Sequence, residues 1–241
     1  MPPPFYTGER AAVVDRLAAD FRAEATHAIT TRGVFTIALP GGSVAVHTFA
    51  ALAQLSLDWG KVHFFWVDER AVPPSDPESN YGVAETLWLA PAHVPGASIH
   101  RMPADDPDLD AAAARYSREL TAVLGTEPCL DYVLLGVGPD GHVASLFPGR
   151  TVGPDERALV AAVVDAPKPP ARRLTLTMTM LGRAERLVVA AFGEAKAAVL
   201  STVFEDSQSK VPLAEVLRRA QRPLVLADRM AAALTRVAKE G

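Results

Sequence analysis

Short apolar runs separated by longer amphipathic segments constrain most strongly how this 241-residue chain can fold. Residues 34–39 and 62–67 are such runs, and segments whose apolar residues recur every three or four positions lie between them. Runs that are apolar on both sides predict strands buried on both faces, and the amphipathic segments predict helices. The sequence therefore predicts an α/β fold with three αβα layers, in which an open, mostly parallel, Rossmann-like sheet has helices on both faces.

The same patterns predict the order of the elements and a single domain. We expect strands at residues 34–39, 62–67, 131–137, 158–164, 186–192 and 223–228, and an edge or mixed strand at 173–178. We expect helices over 14–29, 44–57, 81–89, 110–124 and 194–204, and a last helix after the final strand. Pro-rich stretches at 1–4, 73–77 and 167–170 indicate an N-terminal arm and two loops. A chain with 49% hydrophobic residues and no internal repeat is long enough to form one domain over residues 1–241.

Composition argues against several classes of partner. Lys and Arg number 24 against 28 Asp and Glu, so a net charge of -4 provides no basic field for non-specific nucleic-acid binding. Cys129 is the only cysteine, which excludes an internal disulfide and suits a reducing cytosol. We see no signal peptide and no apolar stretch approaching the roughly 20 residues of a membrane helix. We therefore expect a cytoplasmic protein that binds neither nucleic acid nor membrane.

The turn after the first predicted strand is a candidate phosphate site. Ligands of open α/β sheets bind at the carboxyl ends of the strands. Residues 40–43, Pro-Gly-Gly-Ser, follow the strand and precede a helix. The glycines permit a tight turn, and the free N–H groups and partial positive charge of a helix N-terminus favour a phosphate. The alternative is a plain strand-to-helix turn with Ser43 as the N-cap.

Three charged residues follow the second predicted strand directly. Asp68, Glu69 and Arg70 begin a segment that continues to Asn80. Loops at this edge of a sheet carry functional sites, which favours a functional interpretation. The alternative is a solvated loop in which Ser79 or Asn80 caps the next helix.

The segment 138–142, Gly-Pro-Asp-Gly-His, follows the strand at 131–137 and contains a candidate catalytic pair. Its glycines let the backbone turn sharply, so that Asp140 and His142 can share a site. A carboxylate beside an imidazole orients the ring and raises its basicity, which suits a general base near neutral pH. The alternative is a capping Asp beside a surface His.

Basic residues follow later in the chain. Lys168 lies in a Pro-rich loop, and Arg172 and Arg173 enter the next predicted strand. Lys196 lies in the first turn of the predicted helix 194–204, where the helix dipole disfavours a cation. An anionic ligand nearby would account for Lys196, and a Lys stem that snorkels along the surface is the alternative.

Taken together, these motifs resemble those of the 6-phosphogluconolactonases, in the superfamily that includes glucosamine-6-phosphate deaminase. The resemblance runs nearly end to end, through PGGS at 40–43, DERAVPPSDPESN at 68–80, GVGPDGHVASLFPG at 136–149, KPPARRLTLT at 168–177 and GEAK at 193–196. It implies hydrolysis of the six-membered lactone of 6-phosphogluconate, without a metal or a cofactor. The six histidines agree with this, because they fall singly and show no metal-ligand spacing.

The resemblance also implies catalytic roles. His142 would deprotonate the water that attacks C1 and then assist departure of the ring oxygen. Asp140 would orient His142 or hold a sugar hydroxyl. Arg70 would lie near the phosphate or near the lactone carbonyl, where it could stabilise the oxyanion. Glu69 would be either a buried partner of Arg70 or a substrate contact.

The same resemblance implies a substrate-binding set. The turn at 41–43 would hold the phosphate together with Arg173 and Lys196. Asp68 and Asn80 would line the sugar or hold the loop in place. The set comprises Gly41, Gly42, Ser43, Asp68, Arg70, Asn80, Arg173 and Lys196.

Two other functions compete with the hydrolase. The deaminases carry an acidic residue five positions after the His of the Asp-Gly-His motif, and this chain has Phe147 there. An apolar ring cannot relay a proton, which favours the lactonase. A non-catalytic sugar-phosphate sensor would need the cations but no His142. The sequence shows no obvious exposed apolar helix face, so we expect a monomer.

Overall fold

The computed structural model describes residues 3–152 and 157–236. The strands of this part of the chain are β1 (Phe5–Gly8), β2 (Phe35–Leu39), β3 (Val62–Trp66), β4 (Asp68–Arg70), β5 (Tyr132–Leu135), β6 (Val160–Val163), β7 (Arg173–Leu176), β8 (Arg186–Ala191) and β9 (Pro223–Asp228). The α-helices are α1 (Arg10–Arg32), α2 (Gly42–Ala53), α3 (Asn80–Ala84), α4 (Leu109–Leu124), α5 (Met178–Gly182), α6 (Ala197–Glu205) and α7 (Pro212–Arg219).

Six of these strands form a parallel sheet in the order β1-β9-β8-β5-β2-β3. The neighbouring strands β2 and β5 align Ile37 with Tyr132 and Ala38 with Val133. Every residue of β2 and β5 is buried, which requires that both faces of the sheet are covered. The prediction of an open, mostly parallel sheet is confirmed.

Aromatic contacts of β3 show how the two faces are covered. Phe64 packs against Trp88, in the π-helical turn that continues α3, with ring centroids 5.3 Å apart. Its neighbour Phe65 packs against Tyr116 of α4, with centroids 6.3 Å apart. Because consecutive side chains of a strand point to opposite faces, these helices lie on opposite sides of the sheet. The three-layer αβα arrangement is therefore confirmed.

The remaining three strands form a separate antiparallel sheet in the order β4-β7-β6. Residues 68–70, treated above as part of a loop, are an edge strand, and the run at 158–164 does not join the parallel sheet. The strand expected at an edge, β7, is central in this small sheet. Val67 joins the two sheets, since its N–H donates to Leu39 O at 2.9 Å and its carbonyl accepts from Leu176 N at 2.8 Å.

Several short elements escaped prediction. The strand β1 and the helices α5 and α7 have few residues, so their apolar periodicity is too short to stand out. The predicted helix 194–204 divides into a 3-10 turn, Glu194–Lys196, and α6. Where the last helix was expected to begin, residues 229–234 form turns. Residues 237–241 and the first two residues of the predicted arm lie outside the described residues. No described helix combines the length and the apolarity needed to cross a bilayer.

The strand order places a crevice at one point of the large sheet. From β2 the chain proceeds to β3 on one side, whereas β5, β8 and β9 follow on the other side. Open α/β sheets bind ligands at such a reversal, outside the carboxyl ends of the strands. Here the reversal brings the turn at 40–43 beside the loop at 136–142.

Candidate active site

A cavity of about 250 Å³ opens at the carboxyl ends of β2 and β5. Its walls come from the turn after β2, the loop after β5, the small sheet and the turn before α6. The sequence-predicted residues that line it are Gly41, Gly42, Ser43, Asp68, Arg70, Asn80, His142, Arg173 and Lys196. Asp140 lies behind His142 rather than on the wall. The structure thus brings together residues that lie up to about 155 positions apart in the sequence.

The first helix turn of α2 forms one wall without a side-chain cap. Gly41 is the N-cap, the helix begins at Gly42, and its first turn contains no acidic residue. Ser43 lies inside the helix, so the structure does not have the Ser N-cap that sequence left as an alternative. A Cβ on Gly41 would lie 1.7 Å from Asn80 Oδ1, so only glycine fits there. The uncapped N–H groups and the helix dipole make this wall attractive to an anion.

His142 and Asp140 form a hydrogen-bonded pair at the cavity. The His142 Nδ1 lies 2.5 Å from Asp140 Oδ1, and the carboxylate accepts, so Nδ1 carries the proton. His142 Nε2 has no hydrogen-bond partner among the described residues. Burial lowers the pKa of His142 below its ordinary value, although the bond to Asp140 opposes this. The imidazole is therefore neutral near pH 7, with its free lone pair on Nε2.

The carboxyl of Asp140 responds to the same contact. Burial is the largest single influence and disfavours its ionised form, but the hydrogen bonds and the charge of His142 together outweigh burial and lower the pKa of Asp140. Asp140 is thus ionised near pH 7, where His142 is neutral. The pair has the protonation states that a general base and its orienting carboxylate require.

Phe147 packs against the pair and against a cation. Its ring centroid lies 4.8 Å from that of His142, and the Arg173 guanidinium lies 5.8 Å from it. Phe147 is buried. The position five residues after His142 is therefore next to the imidazole and apolar.

Two arginines project from neighbouring strands of the small sheet. Arg70 of β4 lies directly opposite Arg173 of β7 in the antiparallel register. Arg173 is buried, and its guanidinium donates to the carbonyls of Pro170 and Lys168 at 2.9 and 3.0 Å. Arg70 donates to Glu78 O at 2.6 Å, and its buried Nε has no partner. Both positive charges are therefore held at the cavity by backbone contacts.

Asp68 connects three segments around the cavity. Its Oδ2 accepts from Ser145 Oγ at 2.7 Å, and its Oδ1 accepts from Asn80 Nδ2 at 3.1 Å. The Arg173 Nη1 lies 4.0 Å from the same carboxylate. These contacts favour the role of holding loops in place over that of lining the sugar. Sequence reasoning missed Ser145, because nothing local indicates that its hydroxyl meets Asp68.

Lys168 and Lys196 line the cavity together with Arg70 and Arg173, and these four cations form its positive wall. Lys196 lies in the 3-10 turn before α6 and lines the cavity together with Lys168. Burial lowers the pKa of Lys196, and the nearby charge of Lys168 lowers it further. Lys168 was noted above without a role. Its place in the KPPARR segment was the available signal. An ammonium group whose charge is disfavoured by a neighbouring cation suits a site that takes an anion.

The Glu69 side chain is a buried partner of Arg70, which is one of the two interpretations left open above, but it contacts the Arg70 backbone. It does not line the cavity, and it does not contact the Arg70 guanidinium. Its carboxylate accepts from the backbone N–H of Arg70, at 2.7 Å, and from the start of α3. Ser79 caps α3, since its Oγ accepts from Gly82 N at 3.1 Å.

The sequence of this chain is similar to those of known proteins. The family model described as "Glucosamine-6-phosphate isomerases/6-phosphogluconolactonase" matches residues 8–225. A Mycobacterium tuberculosis protein named 6-phosphogluconolactonase is 38% identical over 216 residues, which cover 86% of this chain and 87% of that protein. A Rattus norvegicus protein of the same name is 37% identical over 215 residues, covering 86% and 82%.

Solved structures with the same fold carry two different names. A 6-phosphogluconolactonase from Thermotoga maritima superposes with a TM-score of 0.83 at 26% identity, covering 94% of this chain and 99% of that one. A monomeric glucosamine-6-phosphate deaminase superposes with a TM-score of 0.81 at 21% identity, covering 96% and 99%. The second likeness concerns the fold alone. The fold is thus common to both activities, and side chains must distinguish them.

Proposed function

The chain belongs to the family of glucosamine-6-phosphate isomerases and 6-phosphogluconolactonases, and we propose that it is a 6-phosphogluconolactonase. The proposed reaction is the metal-independent hydrolysis of 6-phospho-D-glucono-1,5-lactone to 6-phospho-D-gluconate. The observation that carries the proposal is the neutral His142, oriented by Asp140, on a cavity that is also lined by two arginines and two lysines. A base facing an anion-binding wall suits a phosphorylated ester.

The proposed mechanism uses His142 twice. Its Nε2 accepts a proton from a water molecule as the water oxygen attacks C1 of the lactone. The carbonyl oxygen becomes an oxyanion, which a cation of the cavity stabilises. When the bond between C1 and the ring oxygen breaks, the imidazolium returns the proton to that oxygen. Asp140 keeps the imidazole in the Nδ1–H tautomer and stabilises its protonated form.

The phosphate is proposed to bind at the positive wall. The uncapped start of α2, with Ser43, offers N–H groups and a hydroxyl. Arg173 and Lys196, which line the same cavity, supply positive charge, and Lys168 adds a further ammonium group. Arg70 belongs either to this phosphate site or to the lactone carbonyl, and the experiment of the next subsection separates the two.

Phe147 supports hydrolysis over deamination. Its ring lies against His142 at the position where the resemblance places an acidic residue in the deaminases. A phenyl ring donates and accepts no proton, so the isomerising step has no group there. The sensor hypothesis remains distinguishable, because a sensor would bind 6-phosphogluconate without accelerating hydrolysis.

The remaining expectations are part of the same proposal. The substrate is a small molecule, and we propose that the chain acts as one domain, as a monomer and in the cytoplasm. Support for one domain comes from the largest apolar cluster, which joins residues from Val13 to Ala232.

A direct assay tests the proposal. The lactone is generated in situ, its loss is followed, and the uncatalysed rate is subtracted. We expect His142→Ala to lower kcat/KM by about 10²–10⁴-fold, because general-base catalysis is lost. His27→Ala, at an exposed position of α1, is the matched control and should retain full activity. A chelator should leave the wild-type rate unchanged. A wild type that binds 6-phosphogluconate but matches the blank would favour the sensor.

A further inference from the structure

A buried carboxylate that takes no part in the proposed reaction lies directly behind the cavity wall. The side chain of Glu69 is 2% exposed and does not line the cavity. Consecutive side chains of β4 point to opposite faces, so Asp68 and Arg70 face the cavity and Glu69 faces α3. A carboxylate buried so deeply is costly unless its oxygens are fully hydrogen-bonded.

Four donors satisfy the Glu69 carboxylate, two on each oxygen. Oε1 accepts from the backbone N–H of Arg70 at 2.7 Å and of Asn80 at 2.8 Å. Oε2 accepts from the Ser79 hydroxyl at 3.0 Å and from the backbone N–H of Tyr81 at 2.7 Å. The donors lie at the two ends of one loop, so the Glu69 side chain connects the two ends.

We propose that Glu69 is a positioning residue that joins the two ends of the 70–80 loop and thereby sets Arg70 and Asn80 in the cavity. The inference rests on the proposed function, because Arg70 and Asn80 are assigned there to the substrate site. Glu69 itself touches neither substrate nor the reacting atoms.

The backbone hydrogen bonds of the loop form local turns and do not join its two ends, since Val72 N donates to Arg70 O, Asp76 N to Pro73 O and Ser79 N to Asp76 O. Pro73, Pro74 and Pro77 have no N–H group, so the segment cannot build a regular hydrogen-bond ladder. The Arg70 guanidinium contacts Glu78 O within the loop, and Asn80 Nδ2 donates to Asp68 O at 2.8 Å. Moving either end of the loop therefore moves a group that faces the cavity.

Glu69→Gln tests the role with an isosteric change. The amide keeps one acceptor oxygen and turns its NH₂ group towards two donors, so at least two hydrogen bonds are lost. We expect kcat/KM to fall by about 10- to 100-fold, since a displacement of about 1 Å in a site can cost 10²-fold. Circular dichroism and thermal unfolding check that the variant folds. If Glu69→Gln does not fold, Glu69→Asp replaces it in the same assay, because aspartate keeps the negative charge but has a shorter side chain.

A double-mutant cycle separates positioning from a general structural role. The same Glu69 substitution is made in a background carrying Arg70→Ala and Asn80→Ala. If Glu69 acts through these two residues, its substitution changes kcat/KM there by no more than about twofold. An equal loss in both backgrounds would overturn the inference. So would a loss on Glu69→Gln when the Arg70 and Asn80 substitutions have no effect.

Two further comparisons complete the design. Asp206→Asn is the matched control, because Asp206 Oδ1 accepts from Gln208 N at 2.9 Å in an exposed turn that contacts no cavity residue. Arg70→Ala alone shows which substrate group Arg70 contacts. A rise in KM indicates the phosphate, and a fall in kcat indicates the lactone carbonyl.

If the wild type binds 6-phosphogluconate without hydrolysing the lactone, the proposed function fails. The cycle is then measured on the dissociation constant of 6-phosphogluconate, with the same criterion.

Discussion

At the scale of the residue, the environment of His142 explains how one imidazole can serve as a base near neutral pH. Burial removes water from the ring and disfavours its charged form, whereas Asp140 and Asp68 favour that form. Burial prevails, so the ring is neutral. Asp140 contributes orientation, because it binds Nδ1 and leaves Nε2 free. The two carboxylates oppose the loss of basicity that burial causes.

The pH dependence of kcat/KM follows from this balance. A base works when deprotonated, and the pKa of His142 is lowered from 6.5. Activity should therefore persist as the pH falls through 6.5 and decline only at a lower pH. An acid limb with its inflection above 6.5 would contradict the assignment. The profile is measured on kcat/KM, which reports the free enzyme.

Asp140→Asn should affect the rate and the profile together. The amide cannot stabilise the imidazolium and does not enforce the Nδ1–H tautomer, so we expect a loss of about 10²–10⁴-fold in kcat. Removing the negative charge also removes a contribution that raises the pKa of His142. The acid limb should then move to still lower pH. A shift to higher pH would show that the pair does not interact as described.

At the scale of the element, the loop after β5 is built around close contacts that only small residues allow. A Cβ on Gly138 would lie 2.0 Å from His142 Nδ1 and 2.5 Å from Asp140 Oδ1. The loop is also held from outside, because Ser145 N donates to Thr175 Oγ1 at 3.2 Å. The pair of Asp140 and His142 is therefore fixed by the loop backbone and by the small sheet together.

Gly138→Ala tests the role of that close approach. The added methyl group would displace the pair, so we expect kcat to fall by about 10²-fold. Stability should fall by no more than about 1–3 kcal/mol, as for other overpacked positions. Gly96→Ala is the control, because a Cβ there meets nothing within 4 Å. Unchanged activity in Gly138→Ala would mean that the pair tolerates displacement. Steady-state kinetics and thermal unfolding measure both effects.

At the scale of the whole molecule, the cavity and a buried ion pair lie at opposite edges of the large sheet. The cavity lies at the carboxyl ends of the strands. Near the amino ends, Arg186 of β8 pairs with Asp20 of α1 at 2.5 Å, and Tyr132 of β5 donates to the same carboxylate at 3.1 Å. Asp20 and Arg186 are largely buried. This network ties a helix to two central strands without touching the cavity.

Arg186→Met should destabilise the protein and spare its chemistry. It leaves the buried Asp20 carboxylate without its cation, and breaking such a pair costs about 3–5 kcal/mol of the free energy of unfolding. Since the cavity is remote, kcat/KM of the folded protein should not change. Arg229→Ala, which breaks the exposed pair with Glu9, should cost less than about 1 kcal/mol. Denaturant unfolding measures both, and equal costs would contradict the prediction.

Local patterns were sufficient for the parts of the molecule that depend on neighbouring residues. The apolar runs at 34–39, 62–67 and 223–228 predicted strands of the large sheet. Consecutive side chains of a strand point to opposite faces, so a continuous apolar run indicates burial on both faces. Strand ends then indicated where a site could lie, since ligands of such sheets bind at one edge. Residue roles in that site came from the family resemblance, and they remain proposals.

The sequence by itself determined the α/β class, the parallel sheet and the charged groups at its carboxyl edge, because hydrophobic periodicity and loop chemistry are local properties. Only the tertiary structure decided which strands leave that sheet to form β4-β7-β6, since pairing depends on segments about 100 residues apart. It also decided that Ser145 binds Asp68 and that Glu69 faces away from the cavity. Such contacts arise when distant segments meet, and burial then makes every unpaired polar group costly enough to require a partner.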